Sequence, residues 1–541
     1  MTHLAVSIAV EDAADIGHAL ESAAGALRDG ATLVEWRIDS LAEDPDAARH
    51  VGRLLAESPL PSIVTCRPVW EGGMYEGDDD ERISLLEAIG VAPHAPRYFD
   101  VELAAFQRSA NLAQKVRLIV DHAAQPRDIA ASLMLSSHDF EGRPTDLLRR
   151  VSAMAGEQAC AVVKVAWRAR SLRDNLEAFE LLRHRLKPMI ALCMGEYGLM
   201  SRVLARKFGA LLTFAASDSS APTAPGQTTV REMRRRWRFD RITPKTKVYG
   251  VIGWPVEQSR SPRLHNSAFD ELGHDGIYLP LPIPPEWEHF KATVGALLDA
   301  EWLDFRGASV TLPHKAHLVR LVRERGGRVE PAAELIGAAN TLVVDDDGTL
   351  SCTNTDAPAS YQTLIEEAGL DSTVLSRSRV AILGAGGAAR AVAWGLAERG
   401  ATVVVFNRTI ERAEQLAKDL TGRPTRSGAP ARVIVGRPDA ISCACFPVVV
   451  NCTPVGMTGG PAPDESPLPD DFPFEPGVTI FDTIYTPALT PLLREARSRG
   501  ANTVGGAGMF LRQAALQCEA WTGRQAPIAT WRELLAERAG D

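Results

Sequence analysis

Long apolar runs are missing from this 541-residue chain, and no stretch approaches the length of a membrane span. A surplus of positive charge is missing too. Lys+Arg number 59 against Asp+Glu 68, a formal charge of −9, so no broad basic face exists to attract nucleic acid or anionic lipid. An anionic substrate must therefore be held by particular arginines. The eight cysteines include no C-x-x-C pair and only one close pair, Cys443 and Cys445, which excludes a disulfide scaffold and suggests reduced thiols. Aromatics at 6% beside 45% hydrophobic and 23% charged residues give an ordinary globular composition, excluding disorder, collagen and coiled coil. The opening MTHLAVSIAVED lacks a basic n-region and reads as a first β-strand rather than a signal peptide. A cytoplasmic protein is expected.

Length alone suggests roughly three to four folding units of about 150 residues. From residue 4 to about 215, nine short apolar runs alternate with amphipathic segments: LAVSIAV, TLVEWRID, PSIVTCR, YFDVEL, KVRLIVDH, LMLSSHD, AVVKVAW, PMIALCMG and LLTFAA. That is the rhythm of βα units, enough to close a (β/α)₈ barrel, which we expect over residues 1–240. Glu35, Arg37, Arg67, His138, Lys164 and Arg202 sit inside or just after these runs, where barrels carry their chemistry. A stretch SDSSAPTAPGQ and a basic segment VREMRRRWRFDR follow; arginines at 234–238 read as a solvated helix end. A small αβ domain is expected over 246–357, completed by a helical 505–541, with a nucleotide-binding domain over 358–504.

The segment RVAILGAGGAARAV is an apolar strand, a glycine-rich turn and a helix start. Gly384, Gly386 and Ala389 match G-x-G-x-x-A in the required setting, with Ala385, Gly387 and Ala388 completing the loop. The glycines allow a tight turn and close approach of a pyrophosphate to the helix N-terminus. The next strand ends in Asn407-Arg408-Thr409. An NAD enzyme usually carries an acid here for the ribose 2′-hydroxyl, whereas Arg408 suits the 2′-phosphate of NADP.

Ketone reduction needs a proton donor beside the carbonyl. Taken singly, Lys315 in SVTLPHK reads as a surface lysine, and Asp356 in TNTDAP as a helix N-cap with proline in the first turn. In combination, GWPVEQSRSP, SVTLPHK, AANT, TNTD, GAGG, FNRT, NCTPVGM and MFLRQ resemble the shikimate dehydrogenase family over roughly residues 247 to 541. The resemblance implies that Lys315 and Asp356 form the catalytic pair. It also implies that Ser259, Ser261, Thr311, Asn340, Asp356 and Gln513 hold the substrate, with Tyr485 a further substrate-side contact. The same resemblance carries Thr453, Met457 and Gly506 onto cofactor-binding positions. Two departures stand out. Ser309 replaces the family's usual asparagine, implying a weaker hydroxyl contact, and Pro358-Ala359 alters the start of the helix behind Asp356.

A lysine inside AVVKVAW is unusual, because burying an ammonium is costly and desolvation favours the neutral amine that attacks ketones. By itself Lys164 could equally keep its head in water, and His138 could be a strand-end histidine bonded to its neighbours. Together with EWRID, TCRPVWEGG and the APGQ loop, they resemble type I 3-dehydroquinate dehydratases over roughly residues 1 to 240. That resemblance implies an imine on Lys164, with His138 as general base and acid and Glu71 assisting. It also implies hydroxyl contacts from Glu35, Arg37 and Arg67 and a carboxylate clamp at Arg202, with Met194, Phe214, Thr223 and Gln227 on further binding positions. Leu192 replaces one of two pocket methionines, and the loop before Gln227 is two residues longer than usual.

The whole chain resembles the plant-type bifunctional family in which these two activities are fused. The implied partners are 3-dehydroquinate, 3-dehydroshikimate, shikimate and NADP, with no metal, nucleic acid or membrane; monomer and homodimer stay open. A quinate dehydrogenase using NAD and a catalytically silent sensor are the alternatives. Arg408 argues against the first, and intact Lys164, His138, Lys315 and Asp356 against the second.

Overall fold

The computed structural model describes residues 2–125, 131–217, 228–437, 441–442 and 446–536. Thr223, Gln227, Cys443 and Cys445 lie outside the described residues. The chain divides into two compact units, one of residues 1–247 with 275–281 and 295–304, the other of the remainder. No helix among the described residues is long and apolar enough to cross a membrane.

In the first unit eight parallel strands follow one another: β1 His3–Ala9, β2 Leu33–Arg37, β3 Ser62–Thr65, β4 Tyr98–Glu102, β5 Ser132–Asp139, β6 Cys160–Arg168, β7 Met189–Met194 and β8 Leu212–Ala215. Their order is β7-β6-β5-β4-β3-β2-β1-β8, and the Leu211 N–H donates to the Met189 carbonyl at 2.9 Å, bridging the outer strands. The result is a nearly closed (β/α)₈ barrel, as the run of alternating segments implied. Two corrections apply. KVRLIVDH is not a strand: it belongs to the helix Ala110–Asp121, which buries Leu112, Val116 and Ile119 at helical spacing and is capped by Ser109 accepting from Leu112 N–H. The arginine-rich segment at 234–238 is also only partly solvated, for Arg234 and Arg235 are exposed while Trp237 and Arg238 are buried.

Alternate strands share a layer across a barrel interior. Here Glu35 on β2, Asp100 on β4, Lys164 on β6 and Phe214 on β8 form one such layer: the Lys164 amine reaches both carboxylates and stands 4.7 Å from the centre of the Phe214 ring. An apolar cluster including Ala5, Leu33, Ile63, Met134 and Ile190 fills the interior around it.

The second unit has two sheets. In the first, Lys247–Gly253 runs parallel to Phe305–Val310, which pairs antiparallel with Thr341–Val344; Leu350–Thr353 and Arg328–Val329 follow. The helix Gly506–Thr522 packs on this sheet, with Gln517 Nε2 donating to the Asn340 carbonyl at 3.0 Å and Trp521 Nε1 to the Leu342 carbonyl at 2.9 Å. The second sheet is wholly parallel, in the order Arg432–Val435, Thr402–Phe406, Arg379–Leu383, Val448–Asn451, Thr479–Asp482, Asn502–Val504. That is a doubly wound nucleotide-binding sheet. Its order reverses between Arg379–Leu383 and Val448–Asn451, where ligands bind in such folds.

Candidate active sites

Lys164 is 4% exposed. Its Nζ donates to Asp100 Oδ2 at 2.6 Å and to Glu35 Oε1 at 3.3 Å. Glu35 also accepts from the Ser7 hydroxyl at 2.6 Å and the Thr65 hydroxyl at 2.9 Å. Burial alone would raise the Glu35 carboxyl, but Lys164 and Arg37 outweigh it and the group titrates below its ordinary value. The cation is thus held between ionised carboxylates, satisfying the rule that buried charges be paired.

At the end of β5, His138 Nδ1 lies 3.0 Å from Glu71 Oε1, and the same oxygen accepts the His138 backbone N–H at 2.7 Å. An Nδ1–H donating to Glu71 leaves Nε2 as the free base. Burial first, then the charges of Arg67 and Lys164, holds His138 well below the usual imidazole range. Burial also lifts Glu71 to about 8 against the pull of Arg67. His138 thus sits one strand from the lysine, on β5 beside β6, and Glu71 reaches it from the turn after β3.

The arginines divide. Arg67 is held by the protein itself: one terminal nitrogen donates to Glu102 at 2.6 Å and Ser136 at 2.8 Å, the other to Asp100 at 2.7 Å. Arg37 donates to Asp39 at 2.5 Å. Arg202 differs. It is 1% exposed, donates once to the Cys193 carbonyl at 2.8 Å, leaves Nε without a partner, and has no carboxylate beside it among the described residues. Burial pushes its guanidinium down to about 10. An unpaired buried guanidinium is costly, and an arriving anion would offset that cost. Met194 and Phe214 line the same interior beside Leu192.

In the second unit, Lys315 Nζ donates to Asp356 Oδ2 at 2.5 Å, and Asn340 Nδ2 donates to Asp356 Oδ1 at 2.9 Å. Asn340 also reaches Gln513 Oε1 at 3.4 Å. Asp356 opens the helix Asp356–Glu366, whose first N–H groups are accepted by Asn354 Oδ1, so Pro358 falls in the first turn where no intrahelical donor is lost. Ser309 lies in the strand Phe305–Val310. Its hydroxyl donates to Gln517 Oε1 at 2.6 Å, inside the packing of the C-terminal helix. Thr311 and the 253–261 loop are tied together, Trp254 N–H donating to the Leu312 carbonyl and Thr311 N–H to that of Ile252; Ser259 caps Ser261 N–H at 3.3 Å. Tyr485 stacks on Phe510 at 4.3 Å.

The glycine-rich loop adjoins this cluster. Gly384 has φ +107, and Gly386, the N-cap of the helix Gly387–Ala397, has open space where a Cβ would project. A Cβ at Gly387 would come 3.1 Å from Lys315 Cδ, so the lysine stem lies against the fingerprint. Ala385, Ala388, Thr453 and Met457 are half-buried around the turn, and Thr453 is held by Asn451 at 2.7 Å. Asn407 Nδ2 donates to the Thr409 carbonyl, holding the turn after the second strand, and Arg408 is exposed there. These residues fit a dinucleotide: an open cradle at a helix N-terminus and an exposed arginine after the second strand. Gly506 is different, since a Cβ there would meet the Thr483 carbonyl at 2.3 Å; it permits close packing.

Sequence reasoning missed Asp100, Glu102 and Gln517. Asp100 and Glu102 were visible as acids inside the buried run YFDVEL, the same anomaly that singled out Lys164. Gln517 carries no such local signal.

The type I 3-dehydroquinase family model matches residues 4–244, and the shikimate dehydrogenase substrate-binding model matches 251–342. The shikimate/quinate 5-dehydrogenase model matches 366–429, and the shikimate 5′-dehydrogenase C-terminal model 506–535. A chloroplastic bifunctional 3-dehydroquinate dehydratase/shikimate dehydrogenase of Arabidopsis thaliana is 36% identical over 519 residues, covering 94% of this chain and 80% of that protein. An NADP(+) shikimate dehydrogenase of Paramagnetospirillum magneticum is 40% identical over 290 residues, 53% of this chain and 97% of its own length. With one relative matched across nearly the whole chain and each half matched by the corresponding models, the chain belongs to the bifunctional 3-dehydroquinate dehydratase/shikimate dehydrogenase family.

Proposed function

We propose that this chain dehydrates 3-dehydroquinate to 3-dehydroshikimate on Lys164 and reduces that product to shikimate at Lys315, with NADPH as the reductant. The observation that carries the first half is the Lys164 amine buried between Asp100 and Glu35, beside the His138–Glu71 pair. The amine adds to the substrate ketone, and loss of water leaves a protonated imine that acidifies the adjacent carbon. His138 Nε2 takes the proton from that carbon and returns one to the departing hydroxyl; Glu71 holds the ring. Water then releases the product and the lysine. Arg202 receives the substrate carboxylate, Arg37 and Glu35 meet its hydroxyls, and Met194 and Phe214 pack its apolar face.

For the second half, the Lys315–Asp356–Asn340 cluster against Gly387 supports the reading. Lys315 donates a proton to the ketone oxygen as Asp356 orients it, while Ser259, Ser261, Thr311 and Gln513 hold carboxylate and hydroxyls. Bound NADPH supplies the hydride. Arg408 pairs with its 2′-phosphate and the loop from Gly384 to Ala388 cradles its pyrophosphate.

The division of labour we propose is 1–240 for the barrel, 246–357 with 505–541 for the second substrate domain, and 358–504 for the nucleotide domain. A cytoplasmic location is in keeping with the six described cysteines, all free thiols. The deciding experiment supplies 3-dehydroquinate and NADPH together and follows shikimate and cofactor oxidation. Accumulation of 3-dehydroshikimate with no NADPH consumed would sink the second assignment; no turnover of 3-dehydroquinate would sink the first.

A further inference from the structure

The layer around Lys164 holds two carboxylates for one ammonium, and imine chemistry makes them compete. In forming the imine, –NH₃⁺ and O=C become –NH⁺=C and H₂O. The charge on nitrogen is unchanged, but its N–H donors fall from three to one. Only one carboxylate can keep that donor.

Three observations decide which. Asp100 is nearer, at 2.6 Å against 3.3 Å for Glu35. Asp100 Oδ2 is also pinned by Arg67 at 2.7 Å, and its Oδ1 is buried with no hydrogen-bond partner, an acceptor still open. Glu35, by contrast, has each oxygen supplied by a hydroxyl, from Ser7 and Thr65, and stays hydrogen-bonded when the ammonium lets go. We propose that Asp100 is the fixed counterion that holds the single N–H of the protonated imine, while Glu35 releases the nitrogen and turns to the substrate.

The surroundings of Asp100 suit a fixed charge rather than a proton carrier. Arg67 bridges Asp100 to Glu102 at 2.6 Å, Arg82 bridges Glu102 at 2.7 Å to Asp79 at 2.9 Å, and Arg108 closes the chain on Asp79. Asp100 itself sits between two cations, Arg67 and Lys164, which hold its carboxyl well below the ordinary range despite burial. Proton transfer is left to His138.

This inference rests on Lys164 being the imine-forming residue, and the experiment separates the two claims. The full-length enzyme is mixed with 3-dehydroquinate and borohydride, and the labelled peptide is identified. The pH dependence of dehydration is then measured for the wild type, Asp100→Asn and Glu35→Gln. Without its counterion the protonated imine loses its proton more readily, so the basic limb of the Asp100→Asn kcat profile should move to lower pH by about one to three units. Glu35→Gln should raise KM and leave that limb in place. An unmoved limb in Asp100→Asn, with labelled Lys164, overturns the counterion role alone. Absence of label in the wild type overturns the imine reading itself. Should Asp100→Asn not fold, Glu35→Gln decides: a limb that stays supports Asp100, and one that moves by this amount assigns the charge to Glu35.

Discussion

Lys315 Nζ and Asp356 Oδ2 stand 2.5 Å apart, and the other oxygen of Asp356 is occupied by Asn340 at 2.9 Å. The aspartate therefore cannot rotate away from the lysine without breaking two contacts. Removing the proton donor should cost about 10²- to 10⁴-fold in ketone reduction. Lys315→Ala is expected to lose reduction of added 3-dehydroshikimate by that factor and to dehydrate 3-dehydroquinate normally. Lys164→Ala should do the reverse, and spectrophotometric assay of the two substrates separately distinguishes them.

Glu71 and His138 make the barrel's stability depend on pH in opposite senses. Folding lifts Glu71 from 4.5 to about 8, so the folded chain keeps a proton that the unfolded chain has given up. Its contribution is neutral below about pH 4.5 and becomes increasingly unfavourable as pH rises toward 8. His138 is held below 6.5, so the unfolded chain gains a proton as pH falls through that value and the folded one does not; stability falls there too. Denaturant titrations of Glu71→Gln should show a barrel transition that gains on the wild type more at pH 8 than at pH 5. An equal gain at both would contradict the lifted carboxyl.

Arg202 ties binding to an unfavourable resting state. A buried charge without a counter-ion destabilises the empty fold, and replacing it with an apolar side chain of similar volume removes that cost. Arg202→Met should raise the melting temperature of the ligand-free barrel and raise KM for 3-dehydroquinate about 10- to 100-fold, the loss expected for charged hydrogen bonds worth about 1.5–3 kcal/mol. A lower melting temperature would mean the guanidinium has a resident partner.

Arg408 stands exposed after the second strand of the nucleotide sheet. Arg408→Ala should raise KM for NADPH about 10- to 100-fold and leave that for NADH unchanged, again from charged hydrogen bonds of about 1.5–3 kcal/mol. Equal losses with both cofactors would place the arginine elsewhere, and a wild type preferring NAD would favour quinate oxidation.

What was legible in the sequence was local. The glycine fingerprint, Lys164 within an apolar run and Asp356 at a helix start each declare themselves within a few residues. KVRLIVDH was misread because its valines, leucine and isoleucine satisfy both a strand and a helix; the spacing of Leu112, Val116 and Ile119 decides for the helix. Arg67 carried the expected residue type, yet its partners Asp100 and Ser136 lie 33 and 69 positions away, and no pattern in its own segment reports them. Ser309 makes the point more sharply. Its partner Gln517 is 208 residues distant, so nothing in its own segment reports the bond that ties it to the C-terminal helix.

The layer formed by Glu35, Asp100, Lys164 and Phe214 comes entirely from strands, with no loop contributing a side chain. The placement of the nucleophile in this barrel is thereby insulated from loop variation. Lineages, or libraries, that diversify only the turns beyond the strand ends can explore new hydroxy-ketone shapes while inheriting the same nucleophile at the same potency.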